Sequence, residues 1–161
     1  MILAFRYRGE IRTLRDSEAV FRSLDDVIEQ RQPGQDHARA TWLFLANEGD
    51  QAPVSCLEVS LNLQNGFGGV VWFAGGREAK RIEEETGSDI GYYFWVSDSG
   101  RQVSFDPEVL SDPHAPSYFD PRGVLPVAEI RKVIEEYCRS AGDRPSVIRW
   151  VAGNQNGTRL E

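Results

Sequence analysis

A chain of 161 residues with 40% hydrophobic and 27% charged side chains has the balance of one globular domain, large enough to bury a core. No apolar run reaches the ~20 residues needed to cross a bilayer, and the start MILAFRYRGEIRTLR puts its short apolar stretch before its arginines, the reverse of a secretory signal. The formal net charge is −7, which argues against direct binding to nucleic acid because phosphates would be repelled.

That charge is concentrated. From Glu83 to Asp120 nine acids stand against one base, Arg101, which leaves 16 acids and 17 bases in the rest of the chain. Such a segment is either a solvated surface or a face for a basic partner. Cys56 and Cys138 each lie among apolar neighbours, as two buried, reduced thiols of a cytoplasmic protein would.

In chain order, residues 4–14 alternate weakly and predict a first strand. Asp16 then precedes Val20, Phe21, Leu24, Val27 and Ile28 at helical spacing, so Asp16 is an N-cap and the helix runs to about Arg31, before Pro33-Gly34. Thr41–Asn47 is a short apolar strand. In VSCLEVSLNLQ, Ser55, Leu57, Val59, Leu61 and Leu63 alternate with Val54, Cys56, Glu58, Ser60 and Asn62, which predicts a strand with one face buried and one largely open. Gln64-Asn65-Gly66 is a hairpin turn, since Asn-Gly supplies positive φ angles. Phe67–Phe73 returns as a strand.

Gly68-Gly69 inside that returning strand is no phosphate loop, which needs its glycines between a strand and a helix; it marks a bulge or a close backbone approach. Residues 77–85 read as a helical turn. Ile90–Asp98 and Arg101–Pro107 around Ser99-Gly100 read as a second hairpin. The segment from Pro107 to Val124 is a long loop with four prolines, functional or partner-facing by its length. Pro126 opens a second helix with an inward stripe of Val127, Ile130, Ile134, Tyr137, Cys138 and Ala141, and Gly142 caps it. Ser146–Val151 is a last strand. Residues 1–151 thus form a single domain, and 152–161 a flexible tail. The fold class is α+β: one mostly antiparallel twisted sheet of about six strands with two helices packed on one face.

No catalytic signature emerges. His37 and His114 have no metal-type spacing with each other or with the cysteines, so neither a metal nor a cofactor is expected. A hydrolytic site around Asp112, His114 and Asp120 is one alternative, and a regulatory module binding a protein or small ligand on an open sheet face is another. Trp42, Trp72, Trp95 and Trp150 all fall in predicted strands, where packing is their ordinary role.

The stretch VSCLEVSLNLQNGFGGVVWF, then YYFWVSDSGRQVSFDP, the Pro-rich loop and LPVAEIRKVIEEYCRSAGDRPSVIRW together resemble the Imm-one family, immunity proteins of bacterial polymorphic toxin systems. The resemblance covers roughly residues 41–151. It implies a protein without enzymatic activity that binds a cognate toxin domain in the cytoplasm, often a nucleic-acid deaminase-like domain and sometimes a nuclease. Such toxins hold a polyanion in a basic cleft, which an acidic surface would complement. On that expectation Asp98, Glu108, Asp112 and Asp120 pair with toxin bases and Tyr118 and Phe119 act as anchors. The free protein is then a monomer or weak dimer without nucleic-acid or membrane contacts.

Overall fold

The computed structural model describes residues 2–6, 10–14, 19, 22, 39–46, 53–101, 103–112 and 117–160. It carries the α+β architecture expected from the sequence. Strands β1 (Ile2–Arg6), β2 (Glu10–Leu14), β3 (Arg39–Ala46), β4 (Ser55–Asn62), β5 (Phe67–Ala74), β6 (Phe94–Asp98) and β10 (Arg149–Gly153) form a sheet in the order β10-β6-β5-β4-β3-β1-β2. The two-residue β9 (Leu125–Pro126) joins the edge of β5 as an eighth strand, and β7 (Leu110–Asp112) with β8 (Ser117–Tyr118) makes a separate ribbon. Every described pairing is antiparallel. The first predicted strand is thus a hairpin of two. The helix expected over 16–31 lies outside the described residues except Ala19 and Arg22, which are helical.

Two helices are fully described, α1 (Gly76–Thr86) and α2 (Val127–Arg139). Helix α1 is longer than the predicted turn. Its inward stripe is only Ala79 and Ile82. Ion pairs from Arg81 to Glu78 and Glu85 and from Lys80 to Glu84 run along its surface, and Gly87 ends it at φ 67°. Pairs of this kind add only a few tenths of a kcal/mol each, so packing decides that the segment is helical. Helix α2 buries Ile130, Val133, Ile134 and Tyr137. Its end differs from expectation: Ser140 is the cap, Ala141 takes the left-handed position at φ 60°, and Gly142 follows at φ 120° with its N–H on the Tyr137 carbonyl.

The main core lies between the sheet and the helices. Leu57, Val59 and Leu61 of β4, Phe44 and Ala46 of β3, and Val70 and Trp72 of β5 meet the α2 stripe there. At its centre the Tyr137 hydroxyl lies 3.1 Å from Ser55 Oγ and donates to the Ser55 and Phe44 carbonyls. The tryptophans hold the loop after α2: Trp72 Nε1 donates to the Gly142 carbonyl and Trp150 Nε1 to that of Pro145. The Arg144 guanidinium stacks 4.0 Å from the centre of the Trp95 ring.

The second sheet face is not open. Cys56, Ser60 and Asn62 of β4 are buried as well. A second core of Val71, Val96, Val109, Phe119 and Val124 forms there, because the long Pro-rich segment folds back as a cover. The predicted hairpin partner 101–107 forms no strand among its described residues; β6 pairs with β10 instead.

The β4–β5 hairpin is present. Its loop is four residues, with Gly66 at φ 77° taking the Asn62 carbonyl. Gly68 and Gly69 sit in unbroken register opposite Leu61 and Ser60, so no bulge forms. The reason for glycine is close approach: a β-carbon on Gly69 would lie 2.6 Å from the Phe119 ring, and one on Gly68 2.7 Å from Leu61.

Residues 154–160 turn back on β10 rather than trailing loose. Arg159 bridges Gly153, and Leu160 N–H donates to the Ala152 carbonyl.

Candidate functional site

The candidate site is the cover, formed by residues 99–101, 103–112 and 117–124, with the surfaces around it. Its course follows from polar groups that have nowhere else to go. At the β4–β5 turn, Asn62 and Asn65 both donate their side-chain amides to the Pro107 carbonyl, which pulls the buried Pro107 onto the sheet. At the other end Ser97, fully buried in β6, receives the Val70 N–H at 3.1 Å and donates to the Gly123 carbonyl at 2.5 Å. That serine fills the fork where β6 leaves β5 after Val71 and Trp72 and where β9 takes over at Phe67 and Gly68. Phe119 N–H donates to the Val109 carbonyl, closing the ribbon of β7 and β8.

The residues expected to meet a partner separate into two groups. Asp98 and Phe119 are built into the fold, which corrects the expectation that they lie on the surface. Phe119 is 4% exposed, pressed between Gly69 and Gly157. Asp98 has a side chain 5% exposed and is bound by Arg159 at 2.8 Å and Arg149 at 3.1 Å. Burial opposes its charge, but the Arg159 hydrogen bond, the Gly100 N–H and both guanidinium charges outweigh it and hold the carboxyl below its usual range. A core aromatic and a doubly paired buried acid have little left to offer a partner.

Tyr118 and Glu108 are exposed. Glu108 sits at φ 46° between the buried Pro107 and Val109, with its N–H on Asp106 Oδ1. A left-handed glutamate costs about 1 kcal/mol relative to glycine. Asp120 is half-buried and forms an ion pair with Arg122 at 2.7 Å; that contact first, against some desolvation, lowers its pKa. Asp112 has its backbone in β7, while its side chain and His114 lie outside the described residues. Of the other acids of the charged segment, Asp106 lies in the cover beside Glu108, and Glu83, Glu84, Glu85 and Asp89 group elsewhere. Glu83 and Asp89, on α1 and the short 3-10 turn after it, accept from the hydroxyls of Tyr92 and Tyr93.

A pocket of about 270 Å³ opens where the cover leaves β6, beside β9. Phe67, Val103, Phe105, Leu125 and Pro126 are among its walls, with Arg101 and Glu129 of opposite charge. Phe105 is 48% exposed, yet its ring is held edge-on to Phe67 with centroids 5.3 Å apart. Only its presence in the sequence FDP hinted at it; the pocket depends on β9, two residues that no periodicity reveals.

Among the described residues no group of three or more His, Cys, Asp or Glu could hold a metal ion. Burial pushes the Cys56 thiol up to about 11, with Glu58 adding to the effect, and the Cys138 thiol up to about 12, so both are protonated at neutral pH and poor nucleophiles. No described helix is long and apolar enough to cross a membrane.

The fold is a sheet filled on both faces, and the segments covering the second face carry the exposed Tyr118, Phe105, Asp106 and Glu108. The chain belongs to the Imm1 family of immunity proteins, whose family model, described as Immunity protein Imm1, matches residues 8–152. No curated protein and no solved structure matches it.

Proposed function

We propose that this immunity protein binds a toxin domain acting in the bacterial cytoplasm, a nucleic-acid deaminase-like domain or a nuclease, and neutralises it by occluding its basic substrate cleft. The observation that carries the reading is the family membership over 8–152. The concentration of acid between Glu83 and Asp120 supports the choice of a polyanion-binding toxin. The chain itself performs no catalysis in this reading, and it works in the cytoplasm as a monomer or weak dimer until the toxin is met.

The cover is the proposed contact surface. Glu108, Asp112 and Asp120 steer and pair with toxin lysines or arginines, and Tyr118, 41% exposed, is an anchor. Protection of the cell calls for a dissociation constant of nanomolar or below, about −12 kcal/mol, over an interface of roughly 1,600 Å².

Co-purification with the toxin domain encoded beside this chain, followed by a nucleic-acid assay, tests the reading. A one-to-one complex with toxin activity abolished is expected. A toxin that stays active and elutes apart from this chain would sink it.

A further inference from the structure

The turn after β10 is built to hold its own shape. Gly157 N–H donates to the Asn154 carbonyl at 3.0 Å, and Asn154 N–H to that of Thr158 at 2.8 Å. The Asn154 side-chain amide donates to Thr158 Oγ1, and Thr158 gives both its N–H and its hydroxyl to Asn156 Oδ1. Gly157 takes φ 73°, where a side chain would be strained. Asn154, Gln155 and Asn156 are exposed at the tip, whereas Gly157 behind them is buried.

Two contacts tie this turn to the cover and to β6. A β-carbon on Gly157 would lie 2.7 Å from the Phe119 ring, so the turn backs directly onto the aromatic that packs on Gly69. Two residues on, Arg159 has a side chain only 17% exposed and donates to Asp98 Oδ1 at 2.8 Å. Its charge also reaches Asp120, the neighbour of Phe119, and helps to hold that carboxyl below its usual range. The ladder from the turn to the sheet is short, consisting of the Arg159 bridge to Gly153 and the Leu160 N–H on the Ala152 carbonyl. Strand β4, by contrast, pairs along eight residues with each of its neighbours. A segment held by a short ladder and one ion pair opens at a lower free energy than a central ladder does.

We propose that residues 154–160 are a strap that latches the far end of the cover, residues 117–124, onto the sheet, with Arg159 on Asp98 as the catch. Strap and cover end open together while β3, β4 and β5 stay paired, because Phe119 leaves the second core only when Gly157 moves off its ring. The latch fixes Tyr118 and Asp120, the residues on either side of Phe119, in the positions where the chain presents them. It is a property of the free chain and does not depend on the immunity reading.

The test is hydrogen exchange on the chain alone, followed amide by amide by NMR and corrected for intrinsic rates. The Phe119 amide, which donates to the Val109 carbonyl, reports on the cover end, the Leu160 amide on the strap and the Val59 amide on the sheet. In wild type, Phe119 and Leu160 are expected to exchange at least about tenfold faster than Val59. Arg159→Ala is expected to accelerate Phe119 and Leu160 by one common factor, on the order of 30-fold, since both openings break the same pair. Protection of Phe119 as deep as that of Val59 in wild type would overturn the proposal, because the cover end would then open only with the whole fold. So would an Arg159→Ala chain in which Phe119 stays within about threefold of its wild-type rate, whatever Leu160 does, because the turn would then fray alone and latch nothing.

Discussion

Phe119 packs against Gly69 so closely that a β-carbon on Gly69 would sit 2.6 Å from ring atom Cδ1. One residue comes from the centre of the sheet and the other from the loop that covers it. The contact joins a strand glycine to a loop aromatic across 50 positions of sequence, and it seals the second core.

Gly69→Ala is expected to destabilise the fold by about 2 kcal/mol through overpacking. No positive φ is involved at this glycine, so the cost should be steric alone. In a Phe119→Ala background the same change should be neutral or slightly stabilising, because alanine is better than glycine inside a strand by about 0.5–1 kcal/mol. Denaturant melts of the four proteins close the cycle. An equal cost in both backgrounds would show that Phe119 is not what glycine accommodates.

Asp98 should give the fold an acid-sensitive component. Its carboxyl titrates lower in the folded chain than in the unfolded one, where the value is about 4. Its contribution is therefore complete above about pH 4 and is lost as pH falls toward the folded value. Asp98→Asn should be less stable at pH 7, and the gap to wild type should close in acid. Arg159→Ala should cost on the order of 2 kcal/mol at pH 7, below the usual cost of breaking a buried pair because Arg149 remains on the same carboxylate. A pH-independent gap for Asp98→Asn would argue against the pairing.

Ser97→Ala leaves the Val70 N–H and the Gly123 carbonyl without their partner. Stranding buried polar groups costs about 1–3 kcal/mol, and the loss should be local. Hydrogen exchange at the Val70 amide should accelerate well beyond that of Val59, which sits in the middle of the β3–β4–β5 ladder. Equal acceleration at both amides would mean that Ser97 supports the whole sheet and not the fork.

Glu108→Gly should stabilise the free protein by about 1 kcal/mol by relieving the left-handed backbone, and should weaken toxin binding by removing a contact acid. Thermal melting and calorimetry read the two effects separately. Destabilisation would mean that the Glu108 side chain contributes more to the fold than its strained backbone costs.

Much of the scaffold was legible because its cues are local. Alternation in Ser55–Asn62, the Asn65-Gly66 pair and the apolar stripe after Pro126 are each decided within a few residues, and each element stands where its cue lies. The family resemblance was also carried by short motifs in order, and the match over 8–152 bears it out. Helix α1 is longer than its sequence suggests because two inward residues, Ala79 and Ile82, are a weak periodic signal. The site was less legible. Asp98, Asp120 and Phe119 look alike in sequence to exposed acids and aromatics, and only their partners Arg159, Arg122 and Gly69 separate them.

The sequence by itself determined the α+β class, the central hairpin, the second helix, the family and the concentration of acid in one segment. All of these depend on neighbours in the chain or on composition. The tertiary structure alone decided that the Pro-rich segment closes the second sheet face, that β6 pairs with β10, and that Arg159 returns to Asp98. It also decided that β9 leaves a pocket under Phe105. Those are contacts between residues far apart in sequence, where packing and the pairing of buried polar groups select among partners that no local pattern distinguishes.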